Sequence, residues 1–443
     1  MRAALAARVP ALLHEPMFRR YWSGQTISMF GDQISTIALP LVAVLTLHAG
    51  PAQMGILAAL LWLPSLLFGV HAGAWVDRHG HRRATMITAD IGRAVLLASI
   101  PAGFALGLLT LWQLYVVAFL TGTLSIAFTV ANPTLFVSLV PEPEYVSGNS
   151  LIYGSRALSF VGGPSIGGLL VQVLTAPFAV VADALSFLGS ASFLGRIRPA
   201  EPPVAEPGTG SIGAGLRFIR TSAIVRPSLL AASMINFFNF VFFALFVLYA
   251  TRTLGVAPGL LGLVLGIGAL GGVLGAVVTN RLAGRFGSGL VLTVGCLMFT
   301  APLMLVPLAA GSRPVVLVML GAAEFGSGFG VMVLDITIGA IFAVVIPDPL
   351  RSRVNGAFQA VNYGTRPLGA LVGGFLGTAI GLRPTLWVAA IGGMIGVLWL
   401  LPSPVPRFRM PSESRQARPA DGTAEASPGE SGVVGPDAAE PAA

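Results

Sequence analysis

Five acidic side chains lie inside long apolar segments of this chain, where a carboxyl group is chemically unusual, and three of them are candidates for chemistry. Asp32 stands in such a segment near the start of the chain, whereas Glu324 and Asp335 share one near its end. A charged group inside a bilayer costs free energy, so it is by default a candidate for function. Because a carboxylate held away from water is protonated more readily, all three residues are candidates for binding and releasing a proton. Glu324, about 15 Å into its segment at 1.5 Å per residue, is the first candidate.

A structural role is the alternative for these groups, and for three further charged residues it is the simpler interpretation. Asp90 and Arg93 are three residues apart in one apolar segment, a spacing that places them on the same face of a helix. We therefore expect an ion pair within that helix. Asp183 also lies in an apolar segment, and we expect it to be a structural carboxylate too.

Other polar side chains in the apolar segments are candidates for contact with a bound small molecule. They are Gln25, Asn236, Asn239, Arg156 and Arg366. Asn236 and Asn239 lie in a segment rich in phenylalanine, which predicts an apolar cavity with a few hydrogen-bonding groups. Each arginine has two interpretations that the sequence leaves open: it pairs with a carboxylate of the protein, or it contacts an anionic substrate.

A dense group of ionisable side chains occupies residues 73–83, which read GAWVDRHGHRR. The general excess of cations in cytoplasmic loops explains the arginines, but it does not explain Asp77. A carboxylate interacts favourably with the positive N-terminal end of a neighbouring helix, by about 0.3–1 kcal/mol. Besides Asp77, the residues of this stretch that matter below are Gly73, Arg78, Gly80, Arg82 and Arg83.

The hexapeptide GPSIGG at residues 163–168 combines a proline with three glycines inside an apolar run. Glycine lets two helices approach closely, and proline removes one hydrogen bond of its helix and bends or softens it. Gly163, Pro164, Gly167 and Gly168 therefore predict a close helix contact that can adjust. Ordinary packing of small residues is the alternative.

The whole chain has the composition of an integral membrane protein. Of its 443 residues, 55% are hydrophobic and 10% are charged, against about 45–50% and 25% in soluble domains. All 26 Lys and Arg residues are arginine, so the lysine-containing phosphate loop of many ATPases is absent. A single cysteine excludes an internal disulfide, and the five histidines have no companions at metal-ligand spacing. We expect no enzyme active site, metal or cofactor, and an ion gradient as the energy source.

Twelve apolar segments of about 20 residues, the length that spans a bilayer core, must position the residues described above. They are 24–47, 54–76, 84–107, 111–130, 150–174, 178–194, 228–250, 259–279, 290–309, 315–340, 356–380 and 385–401. Three arginines fall in the loops of one side and twenty on the other. Since cytoplasmic loops are enriched in arginine, both termini are predicted to be cytoplasmic. The same rule explains the net charge of +8 without a nucleic-acid partner.

A weak internal repeat divides the chain into two halves. Residues 140–143 match 346–349, and Gly163, Gly167 and Gly168 match Gly369, Gly373 and Gly374, at an offset of 206 residues that becomes 207 near Arg78. Two six-helix bundles in the same orientation follow from the even number of spans in each half. The predicted domains are a cytoplasmic lead-in (1–20), a first bundle (21–195), a cytoplasmic linker with an amphipathic helix (196–227), a second bundle (228–401) and a disordered cytoplasmic tail (402–443).

These motifs resemble those of the major facilitator superfamily. Residues 73–83 are similar to its loop signature Gly-x-x-x-Asp-Arg-x-Gly-Arg-Arg/Lys, with His81 where the signature usually has arginine. Residues 163–168 resemble the Gly-Pro-x-x-Gly-Gly core of its antiporter signature. With the segments around Asp32 and at 347–356, they are similar to the drug:proton antiporter branch that includes macrolide-efflux and enterobactin-exporter proteins.

The resemblance implies an all-α membrane protein of 12 transmembrane helices in two pseudo-symmetric six-helix bundles, with a central cavity lined by spans one, four, seven and ten. It also implies that residues 73–83 latch the cytoplasmic face against the start of the eleventh span. We expect a proton-coupled antiporter in the plasma membrane, monomeric, that exports hydrophobic or amphipathic small molecules such as drugs, macrolides or siderophores.

Two other functions stay open at the level of the sequence. One is a solute:proton symporter for uptake, against which the Gly163-Pro164 motif argues modestly. The other is a membrane sensor or scaffold that does not transport and that acts through the tail beyond Pro402.

Overall fold

Thirteen helices of ten residues or more make up the described part of the protein. The computed structural model describes residues 11–199 and 212–410, and for residues 70–79 it describes the backbone only. The parts of the predicted lead-in, linker and tail at 1–10, 200–211 and 411–443 lie outside the described residues.

The first half contains six helices and the second half seven, of which the first is short. The helices are α1 (Pro16–Leu41), α2 (Pro51–His79), α3 (Arg82–Ala105), α4 (Leu111–Leu139), α5 (Tyr145–Leu174), α6 (Ala176–Gly195), the linker helix α7 (Ile212–Thr221), α8 (Val225–Leu248), α9 (Pro258–Phe286), α10 (Ser288–Thr300), α11 (Arg313–Val345), α12 (Asp348–Ala379) and α13 (Leu382–Val397). Two helical turns, Ala301–Met304 and Leu305–Leu308, continue α10. Each of the twelve predicted apolar segments overlaps one long helix, which confirms the all-helical fold.

Ten helical segments of the described residues are long and apolar enough to cross a membrane. The other two long helices differ for reasons visible in their sequences: α12 carries Asp348, Arg351 and Arg353 in its first two turns, and α13 has only 16 residues. A membrane crossing by all twelve therefore stays a prediction. Several helices also extend past their predicted apolar segments, because a helix continues through polar residues as long as its backbone hydrogen bonds are made.

The predicted repeat is visible in the backbone. A π-helical turn follows α1 at Val42–Thr46 and another follows α8 at Tyr249–Thr253, which is 207 residues later. Positive φ angles recur at the same offset, at His48 and Gly255 and at Gly80 and Gly287. The two halves thus use the same local geometry at corresponding chain turns.

The two halves share one apolar core at one end of the bundle and have separate cores at the other. We call the end where α1 begins the terminal end and the opposite one the distal end. The distal core contains Leu41 and Leu114 of the first half together with Phe242 and Leu261 of the second. At the terminal end, one cluster around Tyr21 and Leu135 belongs to the first half, and another around Leu292 and Val354 belongs to the second. Among the described residues, the large apolar core that both halves share therefore lies at the distal end.

Two of the predicted peripheral segments have more structure than expected. The linker helix α7 packs against the start of α12, where Gly215 faces the carbonyl of Arg353. Residues 402–410, expected to belong to a disordered tail, are folded: Val405 is fully buried, and the Gly289 amide donates to the Phe408 carbonyl at 2.9 Å. The boundary at 402 was placed too early, because Val405 and Phe408 bury apolar surface in the core of the second half.

Candidate functional site

A cavity of about 710 Å³ lies between the two halves. Its walls come from α1, α2, α3, α4 and α6 of the first half and from α8 and α12 of the second. Most of the lining is apolar, with Trp62, Phe243 and Tyr363 as the aromatic contributions. The resemblance implied that spans one, four, seven and ten line the cavity, which are α1, α4, α8 and α11. The first three do so, whereas none of the described residues of α11 lines this cavity.

A charged cluster on α1, α3 and α6 forms the polar side of the cavity. Arg93 pairs with Asp90 in α3, which confirms the predicted ion pair, and its second terminal nitrogen lies 3.9 Å from a carboxylate oxygen of Asp32. Asp90 and Arg93 are buried, whereas the Asp32 side chain is 47% exposed and lines the cavity. The Arg93 guanidinium also lies 4.0 Å from the ring centre of Phe187, a cation–π geometry that compensates part of the cost of burying this charge.

Asp183 joins this cluster from α6. Ser35 of α1 donates a hydrogen bond to one of its carboxylate oxygens, and Ser186 donates to the other at 3.0 Å. A side chain at Gly31 would collide with Asp183 and Ser186, so the glycine leaves room for the carboxylate. Asp183 is 1% exposed as a whole residue and yet contributes to the cavity wall. Its expected role as a structural carboxylate is therefore incomplete, because it shares the site with Asp32.

Glu324 and Asp335 lie away from the described cavity. Glu324 is half-buried and packs between α11 and α9, where it contacts Gly268. Asp335 is exposed on α11. The first candidate for proton binding thus sits inside the second bundle rather than on the cavity wall. The sequence predicted how far along its helix Glu324 lies, but not which face of the helix it occupies.

The Gly-Pro motif of α5 lies where the halves meet. Gly167 packs on α1 near Ile34, and Gly168 packs on α9 of the other half near Gly262. The second copy has the same arrangement: Gly373 packs on α8 near Val241, and Gly374 packs on α2 near Gly55. The predicted close helix contact is thus present twice, once on each side of the distal interface.

The remaining residues of the motif and its copy make matching contacts. Gly163 faces Gln33 of α1, and the Pro164 carbonyl faces Gly262. Gly369, which corresponds to Gly163, faces Phe237 of α8. Each copy therefore binds its own half with two glycines and the opposite half with a third.

Only part of the predicted latch can be placed. The side chains of Gly73, Asp77 and Arg78 lie outside the described residues. Gly80 has a φ of 67°, a left-handed conformation that glycine adopts easily. Arg82 is buried, and Arg83 donates to the carbonyls of Leu194 and Gly195 at 2.8 and 2.7 Å. Arg83 thus caps the C-terminal end of α6 within its own half.

None of the five proposed substrate contacts is among the residues that line the cavity. Gln25 is buried in α1, with no hydrogen-bond partner for Nε2 among the described residues. Asn236 donates to the carbonyl of Ala232 in its own helix at 3.1 Å, and Asn239 is half-buried. Arg156 is exposed on α5.

Arg366, the fifth, lies in a group of aromatic rings, two of which line the cavity. Its guanidinium carbon is 4.1 Å from the ring centre of Tyr363, 4.3 Å from Trp62 and 5.2 Å from Phe240. Trp62 belongs to the first half, and its ring packs edge-on against Phe240 of the second at 5.3 Å. We call these four residues the arginine–aromatic box.

Sequence reasoning did not bring Asp183 and Arg93 together with Asp32, because these residues are far apart in the chain. A signal was nevertheless present. Gly31 and Ser35 are four residues apart on α1, and Asp183 and Ser186 are three apart on α6, so each helix presents a small polar face. Two such faces predict a buried polar contact between helices.

Comparison with known proteins agrees with this architecture. The chain matches the family described as Major Facilitator Superfamily over residues 21–364 and 229–433. It is 27% identical over 417 residues to the Uncharacterized MFS-type transporter YfiS of Bacillus subtilis (strain 168), covering 88% of this chain and 95% of the relative. It is 29% identical over 379 residues to the Multidrug efflux pump Tap of Mycolicibacterium fortuitum, covering 80% and 88%.

Among solved structures, a bacterial homologue of the iron transporter ferroportin in an inward-facing state has the same fold. The TM-score is 0.70 at 18% identity, and the match covers 89% of this chain and 99% of that one. The two helical halves, their repeated glycine contacts and the family match over most of the sequence lead to one conclusion: the protein is a multi-pass membrane transporter and belongs to the Major Facilitator Superfamily.

Proposed function

We propose that this protein is a secondary active transporter that exports hydrophobic or amphipathic small molecules in exchange for protons. The observation that carries the proposal is the cavity between the halves, which combines a largely apolar wall with a cluster of carboxylates around one buried arginine. An apolar pocket with a few placed polar groups is typical of small-molecule sites. The likeness to Multidrug efflux pump Tap supports efflux.

The predicted orientation of the chain determines which side of the membrane the cavity opens to. With twelve crossings and the arginine-rich loops in the cytoplasm, both termini are cytoplasmic and the terminal end faces inward. The large apolar core that both halves share lies at the distal end, which supports a cavity that opens to the cytoplasm. Rocking of the two bundles about the midplane site then opens it to the other side.

The proton site of this proposal is the cluster of Asp32, Asp90, Asp183 and Arg93. Three carboxylates and one guanidinium leave room for an exchangeable proton, and Asp32 is its member with an exposed side chain on the cavity wall. Asp32 thus replaces Glu324 as the first candidate. Glu324 and Asp335, on α11, are a second proton route through the other bundle.

Transport by the purified protein in liposomes tests this function. An imposed pH gradient drives accumulation of ethidium, erythromycin or the anion 2-naphthoate, and addition of substrate releases protons that a trapped pH-sensitive dye detects. We expect Asp32→Asn to abolish the proton signal, and Glu324→Gln to reduce it less. Asp348→Asn is the matched control, because Asp348 is an exposed carboxylate paired with Arg351 at 2.5 Å.

Two results would contradict the proposal. Substrate movement that is the same with and without the gradient would exclude proton coupling, and a loss of coupling in Glu324→Gln with an unchanged Asp32→Asn would move the proton site to the second bundle. Accumulation of substrate in the direction of proton flow would identify a symporter instead.

A further inference from the structure

The arginine–aromatic box holds a cation that makes no ion pair among the described residues, although Asp335 of α11 acts on its charge from beyond ion-pair distance. No carboxylate of the described residues lies within 4.0 Å of the Arg366 guanidinium. Its Nε is buried and has no hydrogen-bond partner among those residues. Arg93, the cation of the neighbouring cluster, also has a buried Nε without a partner, but its terminal nitrogens make an ion pair with Asp90 and a hydrogen bond to Ser125. Arg366 therefore has hydrogen-bonding capacity that the described protein does not use.

The rings around Arg366 explain how this charge is tolerated. Cation–π contacts stabilise a desolvated arginine, and three ring centres lie within 5.2 Å of its guanidinium carbon. They stabilise the faces of the guanidinium plane, but they do not accept its in-plane N–H groups. A planar guanidinium offers a fork of donors that matches a carboxylate. The rings thus stabilise the charge without supplying an acceptor for its terminal N–H groups.

The box is also continuous with the cavity. Trp62 and Tyr363 line the cavity, together with Gln359 and Ala360 from the preceding turn of the Arg366 helix. The acidic members of the wall, Asp32 and Asp183, belong to α1 and α6, whereas Arg366 belongs to α12. The two charges thus come from different halves, which gives the cavity an acidic wall and a separate cationic edge.

From these observations we infer that Arg366 is the anion subsite of the transport cavity: it binds a carboxylate or similarly delocalised anionic group of the substrate, while Trp62 and Tyr363 pack against an adjoining aromatic or apolar body. This inference rests on the proposed function in that it names the substrate class of the same cavity. The favoured substrates are amphipathic organic anions with a flat apolar part. A bidentate contact of this kind is among the strongest neutral-pH hydrogen-bonding pairs in proteins.

Three naphthalene probes with the same ring and different head groups test the inference. They are 2-naphthoate, 2-naphthylmethylammonium and 2-naphthalenemethanol, and their binding to the protein in lipid nanodiscs is measured by equilibrium dialysis against empty nanodiscs. We expect naphthoate to bind most tightly. Arg366→Gln should weaken naphthoate by about ten- to a hundredfold, the loss of a charged hydrogen-bonding partner, and change binding of the alcohol less than threefold.

Further variants separate the anion subsite from a structural role. Arg366→Lys keeps the positive charge but loses the planar pair of N–H donors, so it should weaken naphthoate binding by an intermediate amount. Trp62→Leu should weaken all three probes. Arg281→Gln is the matched control, because Arg281 is exposed on α9 and does not line the cavity. A melting temperature measured for each variant in the same nanodiscs identifies any that has lost its fold.

The inference is overturned by either of two results. One is equal binding of naphthoate and the alcohol to the wild-type protein. The other is tighter binding of the ammonium probe to Arg366→Gln than to wild type, which would show that the rings are a cation site that Arg366 fills from within. Because no gradient is imposed, neither result depends on proton coupling, which the liposome experiment tests separately.

Discussion

At the scale of single residues, Arg93 determines the character of the cavity's polar side. The sequence predicted its pair with Asp90, because a spacing of three residues fixes their relative position on one helix. It did not predict the approach of Asp32 or Asp183, because those contacts depend on how α1 and α6 pack against α3. Spacing along the chain was therefore sufficient to predict the ion pair within α3, but not the contacts between helices that form the cluster.

Replacing Arg93 by glutamine should destabilise the protein strongly. The change leaves the Asp90 carboxylate buried without its cation, a situation that costs about 3–5 kcal/mol of the free energy of unfolding. The double variant Asp90→Asn/Arg93→Gln should recover part of that loss. Thermal unfolding in detergent measures both effects.

The chain contains its own control for this experiment. Asp348 and Arg351 have the same three-residue spacing on α12, but their side chains are 81% and 45% exposed. Exposed pairs contribute about 0–1 kcal/mol, so Arg351→Gln should leave the melting temperature nearly unchanged. Equal losses in the two arginine variants would contradict the importance of burial.

Gly31→Ala should impair transport by displacing Asp183. The added methyl group would lie 2.6 Å from the Ser186 side-chain carbon, so α1 and α6 must separate or the Asp183 hydrogen bonds must break. We expect proton-coupled uptake into liposomes to fall at least tenfold, while the protein is still inserted and folded. Gly154→Ala is the comparison, because nothing lies within 4 Å of its added carbon; similar activity of the two variants would argue against a role for the Asp183 position.

At the scale of helices, glycine determines how the two bundles meet. The sequence predicted this for the α5 motif, and the offset of 206 residues identified its copy in α12. What it did not identify was the partner glycine on each side, Gly262 of α9 and Gly55 of α2.

Glu324 is a second residue whose packing partner the sequence did not predict. It lies four residues before Gly328, which packs on Gly268, so the small-residue face of α11 turns toward α9 and takes Glu324 with it.

Widening one of these contacts should favour the conformation with an open distal end. A Cβ at Gly262 would lie 3.1 Å from the Cα of Gly168, and one at Gly55 would lie 2.7 Å from the Cα of Gly374. Both contacts involve backbone atoms and cannot be relieved by a side-chain rotation. We expect Gly262→Ala and Gly55→Ala to increase the distal distance between spin labels on the two halves.

Pulsed electron resonance distances at both ends of the bundle measure this shift. The labels are introduced in a Cys296→Ser background, since Cys296 is the only native cysteine. Gly339→Ala serves as the control, because an added carbon there meets nothing within 4 Å. Unchanged distal distances in both interface variants would show that the glycine contacts are not limiting.

At the scale of the whole molecule, the second half has an additional structural element at its terminal end. Val405 and Phe408 pack into its core, and Phe408 bonds to the start of α10. The sequence suggested a polar tail from residue 402 onward, since the composition beyond that point is dominated by proline, serine and alanine. Two apolar residues in a short polar stretch are too weak a pattern to predict docking.

Two truncations test whether residues 402–410 stabilise the second half and whether the chain beyond them is needed. Ending the chain after Leu401 removes Val405 and Phe408, and we expect a lower melting temperature, because burying one such side chain contributes about 1.5–3 kcal/mol. Ending it after Met410 retains both residues and should leave melting and transport unchanged. Loss of function in the longer truncation alone would favour the sensor or scaffold hypothesis.

The apolar core that the two halves share at the distal end has a thermodynamic consequence. Opening that end exposes buried apolar surface, and exposure of apolar surface to water raises the heat capacity. We expect the terminal ends, which come together in exchange in the proposed alternating-access cycle, to bury less apolar surface, because they carry many of the arginines. The conformational equilibrium of the empty transporter should then curve with temperature rather than follow a straight van't Hoff line, in the way that unfolding equilibria do.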